Sequence, residues 1–250
     1  MTGVIKRMKP VLGTYVEVAV AGSKLTAIDT HHLINQAFVE IELIDRLMSF
    51  HNRKSDLSRI NCSNGEWVKV DPHVIQVLKM AKKIMYESKH GFNCTVGGQL
   101  INAGALPKIR GLPKYFYPVG DASDIEIDRV HVRLRRKVLI TLDGIAKGYA
   151  VDLAANRLEA EDIQGYWIDA GGDIRTGGDV EVQISQQDEN NYMKPVVLLK
   201  NACVASSRLK PYLDPDYPAL LVGSDQYAKE GVYTVQAKKR ALQAEKNRKH

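Results

Sequence analysis

Apolar positions along the chain repeat at two periods, and each period names its own elements. Val16, Val18 and Val20 share one side of an alternating run over 15–20, which predicts a half-buried strand after a short basic start. Leu33, Ala37, Ile41, Ile44 and Met48 then fall on a single stripe, predicting a helix over Ala27–Met48. A second stripe of Val74, Leu78, Ala81 and Met85 follows Asp71-Pro72, a side-chain cap with a proline ready for the first turn. Val130-Val132-Leu134 and Val138-Ile140-Leu142 alternate around a basic turn, predicting a hairpin with one wet, positive face. Ala146, Val151, Leu153, Ala154 and Leu158 predict a helix that starts just after Gly148 and ends near Glu161. Further short strands are expected at 165–169, 180–184, 196–199, 203–206, 219–222 and 232–237, with a polar turn over 186–192. Between these elements lie a polar loop at 49–64, in which Ser55 or Asp56 can cap a short turn, and a glycine-rich loop at 91–100. The stretch 102–128 reads as an irregular connection with a short helix that includes 123–127. Strands outnumber helices and do not alternate with them, so the class is α+β. Residues 1–236 read as one domain, and 237–250 as a basic tail or short helix.

Charge changes this picture only at the end of the chain. The net charge is +6, yet six Lys or Arg and one Glu lie from Ala237 onward, which leaves the body nearly neutral. Such a tail can touch nucleic acid or anionic lipid, or simply be a solvated terminus; specific nucleic-acid binding is not expected. Cys62, Cys94 and Cys203 are far apart, without a C-x-x-C pair, and read as reduced thiols rather than metal ligands. No apolar run reaches the ~18 residues of a membrane span. The first ten residues hold no hydrophobic export segment, so a cytoplasmic protein is expected, or a periplasmic one if an export signal has been removed.

Candidate chemistry gathers at two glycine turns. Residues 141–152 read T-L-D-G-I-A-K-G-Y-A-V-D, a strand entering a tight turn and a helix start with Lys147 and Gly148 at the join. Unpaired amides at a helix N-terminus suit an anion, and Lys147 would add a point charge. The alternative is an ordinary strand-to-helix turn with a solvated lysine. In the second turn, the strand Tyr166-Trp167-Ile168-Asp169 runs into Gly171-Gly172 and then Asp173, where positive φ or a close ligand approach would need glycine. Neither turn fits the Rossmann or Walker A patterns.

Five segments together resemble the ApbE family of FAD:protein FMN transferases: Leu12-Gly13-Thr14; 48–61, with Ser55-Asp56-Leu57-Ser58-Arg59-Ile60-Asn61 the strongest part; Gly91-Phe92-Asn93-Cys94-Thr95-Val96-Gly97; 142–152; and Asp169-Ala170-Gly171-Gly172-Asp173-Ile174-Arg175. The resemblance implies an α+β fold related to the T-fold, with mixed or antiparallel sheets and packed helices. It implies FAD in a cleft, usually magnesium, and transfer of FMN to a threonine of a partner protein with AMP left behind. By the resemblance, Lys147 and the turn of Asp143, Gly144 and Gly148 lie at the pyrophosphate, with Gly171 and Gly172 also cofactor-binding. Asp152 and Asp173 orient the turn, Ala146 offers a carbonyl near the metal, and Ser49, Phe50, Ser55, Leu57 and Thr95 line the flavin and adenine ends. The departures are specific. Leu12 replaces a methionine and Asn93 an aspartate, and Pro211-Tyr212-Leu213-Asp214-Pro215 lacks the histidine of a His-x-x-Asp-Pro signature. Arg240 and Ala244 stand where the family's magnesium-holding Asp and Thr belong, with Glu245 one residue beyond. An arginine repels a dication and alanine offers it no oxygen, which argues against magnesium here. Two readings follow: a transferase, or a non-catalytic relative that holds flavin or serves as a partner or assembly factor.

Overall fold

The computed structural model describes residues 3–88, 91–187, 193–209 and 231–238. The expected 219–222 strand, residues 188–192 of the polar turn, the 211–215 segment and the tail residues Arg240, Ala244 and Glu245 lie outside the described residues. In chain order the elements are β1 (Val4–Val11), β2 (Thr14–Ser23), α1 (Ala27–Met48), α2 (Asp56–Asn61), β3 (Val68–Lys69), α3 (Pro72–Glu87) and α4 (Gly97–Asn102). After a short 3-10 turn at Ala122–Asp124 come β4 (Ile125–Asp128), β5 (His131–Leu134), α5 (Ala146–Glu159), β6 (Ile163–Ala170), β7 (Asp173–Gly178), β8 (Val182–Gln187), β9 (Met193–Leu199), β10 (Ala202–Leu209) and β11 (Gly231–Lys238). This is a mixed α+β fold with antiparallel sheets and packed helices. The described residues form two compact units, one from 3–40, 151–187, 193–207 and 233–238, the other from 41–88, 91–150, 208–209 and 231–232.

The first unit is built on a six-stranded sheet ordered β1-β2-β6-β7-β10-β11. Its β2 strand buries Val16, Val18 and Val20 as the alternation predicts, and it pairs antiparallel with β6, Val16 opposite Ala170 and Val18 opposite Ile168. The basic start proves to be strand β1, in register with β2 from Val4 opposite Ala21 to Val11 opposite Thr14. Its Lys6, Arg7, Lys9 and Pro10 hide the strand pattern, and they are residues that suit the outer edge of a sheet, where they discourage further pairing. Lys9 lies over the Phe38 ring at 4.9 Å and Arg7 donates to Asn35 at 2.6 Å, so β1 clasps the first half of α1. Ile174, Leu199, Ala202 and Val204 form a second buried cluster, with Ile184 packed against it.

In the second unit, α3 starts as predicted: Asp71 accepts from the His73 N–H, Pro72 occupies the first turn, and Val74, Leu78, Ala81 and Met85 are buried. Three expectations are corrected. Residues 125–127 are strand β4, not helix; Ile125 lies opposite Leu134 and Ile127 opposite Val132. The hairpin is therefore β4–β5, and 138–142 is no ladder strand; Val138, Leu139, Ile140 and Leu142 are all fully buried, with no wet face. The arginines of the hairpin are not a bare positive face either. Arg133 and Arg135 share Glu126 at 2.5 and 3.3 Å, while Arg136 grips Asp124 at 2.5 and 2.6 Å. The two loops of the sequence reading each hold a helical turn, α2 and α4, too short for a periodic stripe to announce them.

Candidate functional site

In the second unit, two segments distant in sequence meet on the backbone of 139–141. The Leu139 carbonyl accepts from the Gly97 N–H at 3.0 Å, and the Thr141 N–H donates to the Cys94 carbonyl at 2.9 Å. Between them, the Asn61 side chain takes both polar groups of Ile140: its Oδ1 accepts the Ile140 N–H and its Nδ2 donates to the Ile140 carbonyl, each at 2.8 Å. A side-chain amide thus stands in for a neighbouring strand. This is why an apolar run can be buried on all sides without belonging to a sheet. The strongest quoted motif ends at Asn61, and the Phe92–Gly97 motif supplies the other two bonds.

The fastened segment runs straight into the turn. Thr141 Oγ1 donates to Asp143 at 2.8 Å, and the Leu142 carbonyl accepts from the Ile145 and Ala146 N–H groups at 2.9 and 2.7 Å. A Cβ on Gly144 would come within 3.1 Å of the Phe92 ring, so glycine is what lets that ring cover the turn. Helix α5 begins at Ala146, three residues earlier than the sequence pattern suggests, so Lys147 and Gly148 belong to its first turn. Gly148 is exposed, and among the described residues nothing beyond its chain neighbours and its own helix backbone lies within 4 Å of where its Cβ would be, which leaves this face of the helix start accessible. Tyr149 closes the other side; its hydroxyl donates to Gln76 at 2.9 Å and lies 2.8 Å from His73 Nδ1.

The polar loop before α2 spends its hydroxyls internally. Ser55 caps α2 by accepting the Ser58 N–H at 3.0 Å, and its own hydroxyl donates to the Ser49 carbonyl at 2.8 Å. Asp56 receives Arg59 and the Asp71 N–H, at 2.8 and 2.7 Å. Of the five expected lining residues, Phe50, Ser55, Leu57 and Thr95 are buried and Ser49 is half-buried. Asn93, where a carboxylate was expected, has a clear structural task. Its oxygen accepts from the Thr95 N–H and hydroxyl at 2.8 and 2.6 Å, and its amide donates to the Gly120 carbonyl at 3.0 Å. A carboxylate could make the first two bonds but would face that carbonyl without a proton.

In the first unit, two other quoted segments lie side by side. Leu12 and Gly13 turn the β1–β2 hairpin at φ +58° and +69°, and Gly171 and Gly172 turn the β6–β7 hairpin at +67° and +101°. Positive φ at both central residues is what a two-residue type I′ turn demands, as the paired glycines predict. A Cβ on Gly171 would also run into the Thr14 side chain, which ties the two turns together. Gly172 donates its N–H to Asp169 at 3.0 Å. Asp152, exposed on α5, pairs with Arg175 of β7. The same guanidinium reaches Glu159 at 3.2 Å, and Glu159 accepts the Tyr166 hydroxyl. Burial works against the Arg175 charge, but Tyr166, Asp152 and Glu159 outweigh it and hold its pKa above the ordinary value. Burial and the bond to Glu159 push the Tyr166 phenol upward as well. Asp173 opens β7 half-buried.

The sequence reading named the turn but gave no role to Asn61 or Arg175, although both stand in quoted motifs. Of the predicted residues, Ser49, Phe50, Ser55, Leu57, Thr95, Asp143, Gly144, Ala146, Lys147 and Gly148 fall in the second unit. Asp152, Gly171, Gly172 and Asp173 fall in the first. Among the described residues, no three His, Cys, Asp or Glu side chains gather as metal ligands, and no helix is long and apolar enough to cross a membrane.

An antiparallel α+β chain with these turns has solved counterparts. The apo flavinyl transferase ApbE of Pseudomonas stutzeri matches it with a TM-score of 0.75 at 20% identity, over 94% of this chain and 80% of that one. The flavin transferase ApbE of Vibrio cholerae matches at 0.75 and 20%, covering 95% and 83%. The ApbE protein of Thermotoga maritima matches at 0.75 and 25%, covering 94% and 82%. The ApbE family profile matches residues 12–221, and the chain belongs to that family. No curated protein matches it.

Proposed function

We propose that this chain is an FAD:protein FMN transferase, placing FMN on a threonine hydroxyl of a partner protein. The observation that carries this reading is the start of α5: Lys147 and an uncovered Gly148 in the first turn of a fourteen-residue helix. Helix N-terminal amides and a lysine are the donor set for a pyrophosphate, and a turn held by Asn61, Cys94 and Gly97 needs no reordering when it binds. The acceptor hydroxyl attacks the phosphorus on the FMN side. Its P–O bond to the AMP phosphate breaks, the hydroxyl proton passes to a base, and AMP departs. Lys147 and the helix end offset the charge that grows on the leaving phosphate. Asp152, held by Arg175, and Asp173 are the carboxylates proposed to orient the turn. Ser55, Phe50, Leu57 and Thr95 shape the wall at the flavin and adenine ends, with Ser49 and Asp143 at its surface. Magnesium, where the family binds it, would supply further neutralisation of phosphate charge; the steps above use the chain's own cation, Lys147.

The second reading, a non-catalytic flavin holder or assembly partner, is favoured by Arg240 and Ala244 at the positions of the metal ligands. Co-expression with an acceptor-threonine domain, in a host without its own transferase, separates the two. The transferase reading expects a flavin-fluorescent band of the acceptor that survives denaturing electrophoresis and is lost in Lys147→Ala. FAD binding without such a band favours the second reading.

A further inference from the structure

The second unit carries a groove that the transferase reading does not use. A cavity of about 610 Å³ lies between α3 and the β4–β5 hairpin, with half-buried Ile127 at its base and Lys79, Lys82 and Arg135 at its sides. Trp67, 43% exposed, forms one wall, and the Arg133 guanidinium covers one of its faces at 4.6 Å. Past Lys79 a second cavity of about 510 Å³ continues along α3 over Ile75 and Met80. Charge in the groove is one-sided. Glu126 is its one carboxylate and already serves two arginines, Lys82 donates to the Ile125 carbonyl, and exposed Lys79 has no carboxylate partner among the described residues.

We infer that this groove docks an acidic, extended segment of a partner protein. Carboxylates of such a segment answer Lys79 and Lys82, while an intervening apolar side chain meets Trp67 and half-buried Ile127. Glu126 in the lining disfavours a phosphodiester backbone but can accept a peptide N–H. From Pro72 to Lys82 the helix is about 15 Å long, the span of roughly five residues of extended chain.

The test uses the full chain and a fluorescein-labelled octapeptide of alternating glutamate and leucine, read by fluorescence anisotropy. An oligothymidylate of equal charge is the competitor. Saturable binding is expected that weakens about fivefold in Lys79→Glu, at least about tenfold in Lys79→Glu/Lys82→Glu, and similarly in Trp67→Ala. Lys79 is exposed and has no ion pair among the described residues, so the single variant keeps the wild-type melt even if the double variant does not. Peptide affinity unchanged in Lys79→Glu would assign the binding to charge elsewhere, such as the basic tail, and overturn the proposal. So would no binding, or an oligothymidylate that displaces the peptide at lower concentration than unlabelled peptide does. Neither result bears on FMN transfer, which is read separately by the fluorescent band.

Discussion

Asn61→Ala is the sharpest perturbation of the turn, because it removes one side chain that serves two buried backbone groups. Asn61 is 2% exposed and Ile140 fully buried, so no water replaces the lost partner. Each unsatisfied buried group costs about 1–3 kcal/mol, so the pair costs roughly 2–6 kcal/mol. Against a total stability of about 5–15 kcal/mol that is a large share, and for a chain of this size it corresponds to a Tm lower by roughly 10 °C. Asn61→Asp separates the hydrogen bonds from mere volume. It keeps the shape and the acceptor for the Ile140 N–H, but loses the donor and points a negative charge at the Ile140 carbonyl. Burial and the facing carbonyl raise the pKa of that carboxyl, so its penalty should shrink as the pH falls from the raised folded value towards about 4, the ordinary Asp value, because the protonated carboxyl regains a donor. Differential scanning calorimetry at pH 7 and pH 4 reads both effects. A Tm for Asn61→Ala within about 2 °C of wild type would refute the claim that this amide holds the segment. So would an Asn61→Asp penalty that does not change with pH.

Other expectations rest on single contacts. Gly171→Ala forces a Cβ into a backbone at φ +67° and against Thr14, and should cost at least about 1–2 kcal/mol by chemical denaturation; an unchanged midpoint would mean the hairpin end rearranges freely. Burial raises the Glu17 pKa, but the bonds from Lys6 and Trp167, at 2.9 Å each, outweigh it and hold the carboxyl below the ordinary value. Its stabilisation is therefore present above about pH 4.5 and lost as pH falls through the lowered folded value. Glu17→Gln should lose less Tm than wild type between pH 5 and pH 3, and parallel curves would contradict this. Burial pushes the Cys94 thiol up to about 12, so in folded protein at pH 8 a disulfide reagent should label Cys62 and Cys203 while sparing Cys94. Labelling of all three at one rate would show that the Cys94 site opens.

What was legible in the chain was whatever one element declares by itself. Helix α1 announced both ends through one stripe, α3 announced its start through Asp71-Pro72, and Gly171-Gly172 announced a turn that needs positive φ at both residues. The rest depended on partners elsewhere. Strand β1 hid behind the charges of a sheet edge, and β4 was masked because only four residues follow a capped turn at Asp121, whose carboxyl is lowered first by the Ser123 hydroxyl and amide. Residues 138–142 looked like a strand because they are apolar and extended. Their actual partners, Asn61, Cys94 and Gly97, lie 42 to 79 residues earlier, and no local pattern records such pairings. For the same reason the motif residues could be read as words before their contacts could be read. Asn61 stood at the end of a quoted motif with nothing to show that its amide reaches Ile140. Arg175 likewise gave no sign that it joins Asp152 to Glu159.

The central claim is that the first turn of α5 receives a pyrophosphate. Isothermal calorimetry of the flavin-stripped full chain with FAD, with and without magnesium, in wild type and Lys147→Ala, tests it most directly. One-to-one binding is expected, weakened about tenfold or more when the lysine's charge-assisted bond to phosphate is removed. Equal affinity in Lys147→Ala, or no heat of binding in either condition, would contradict it.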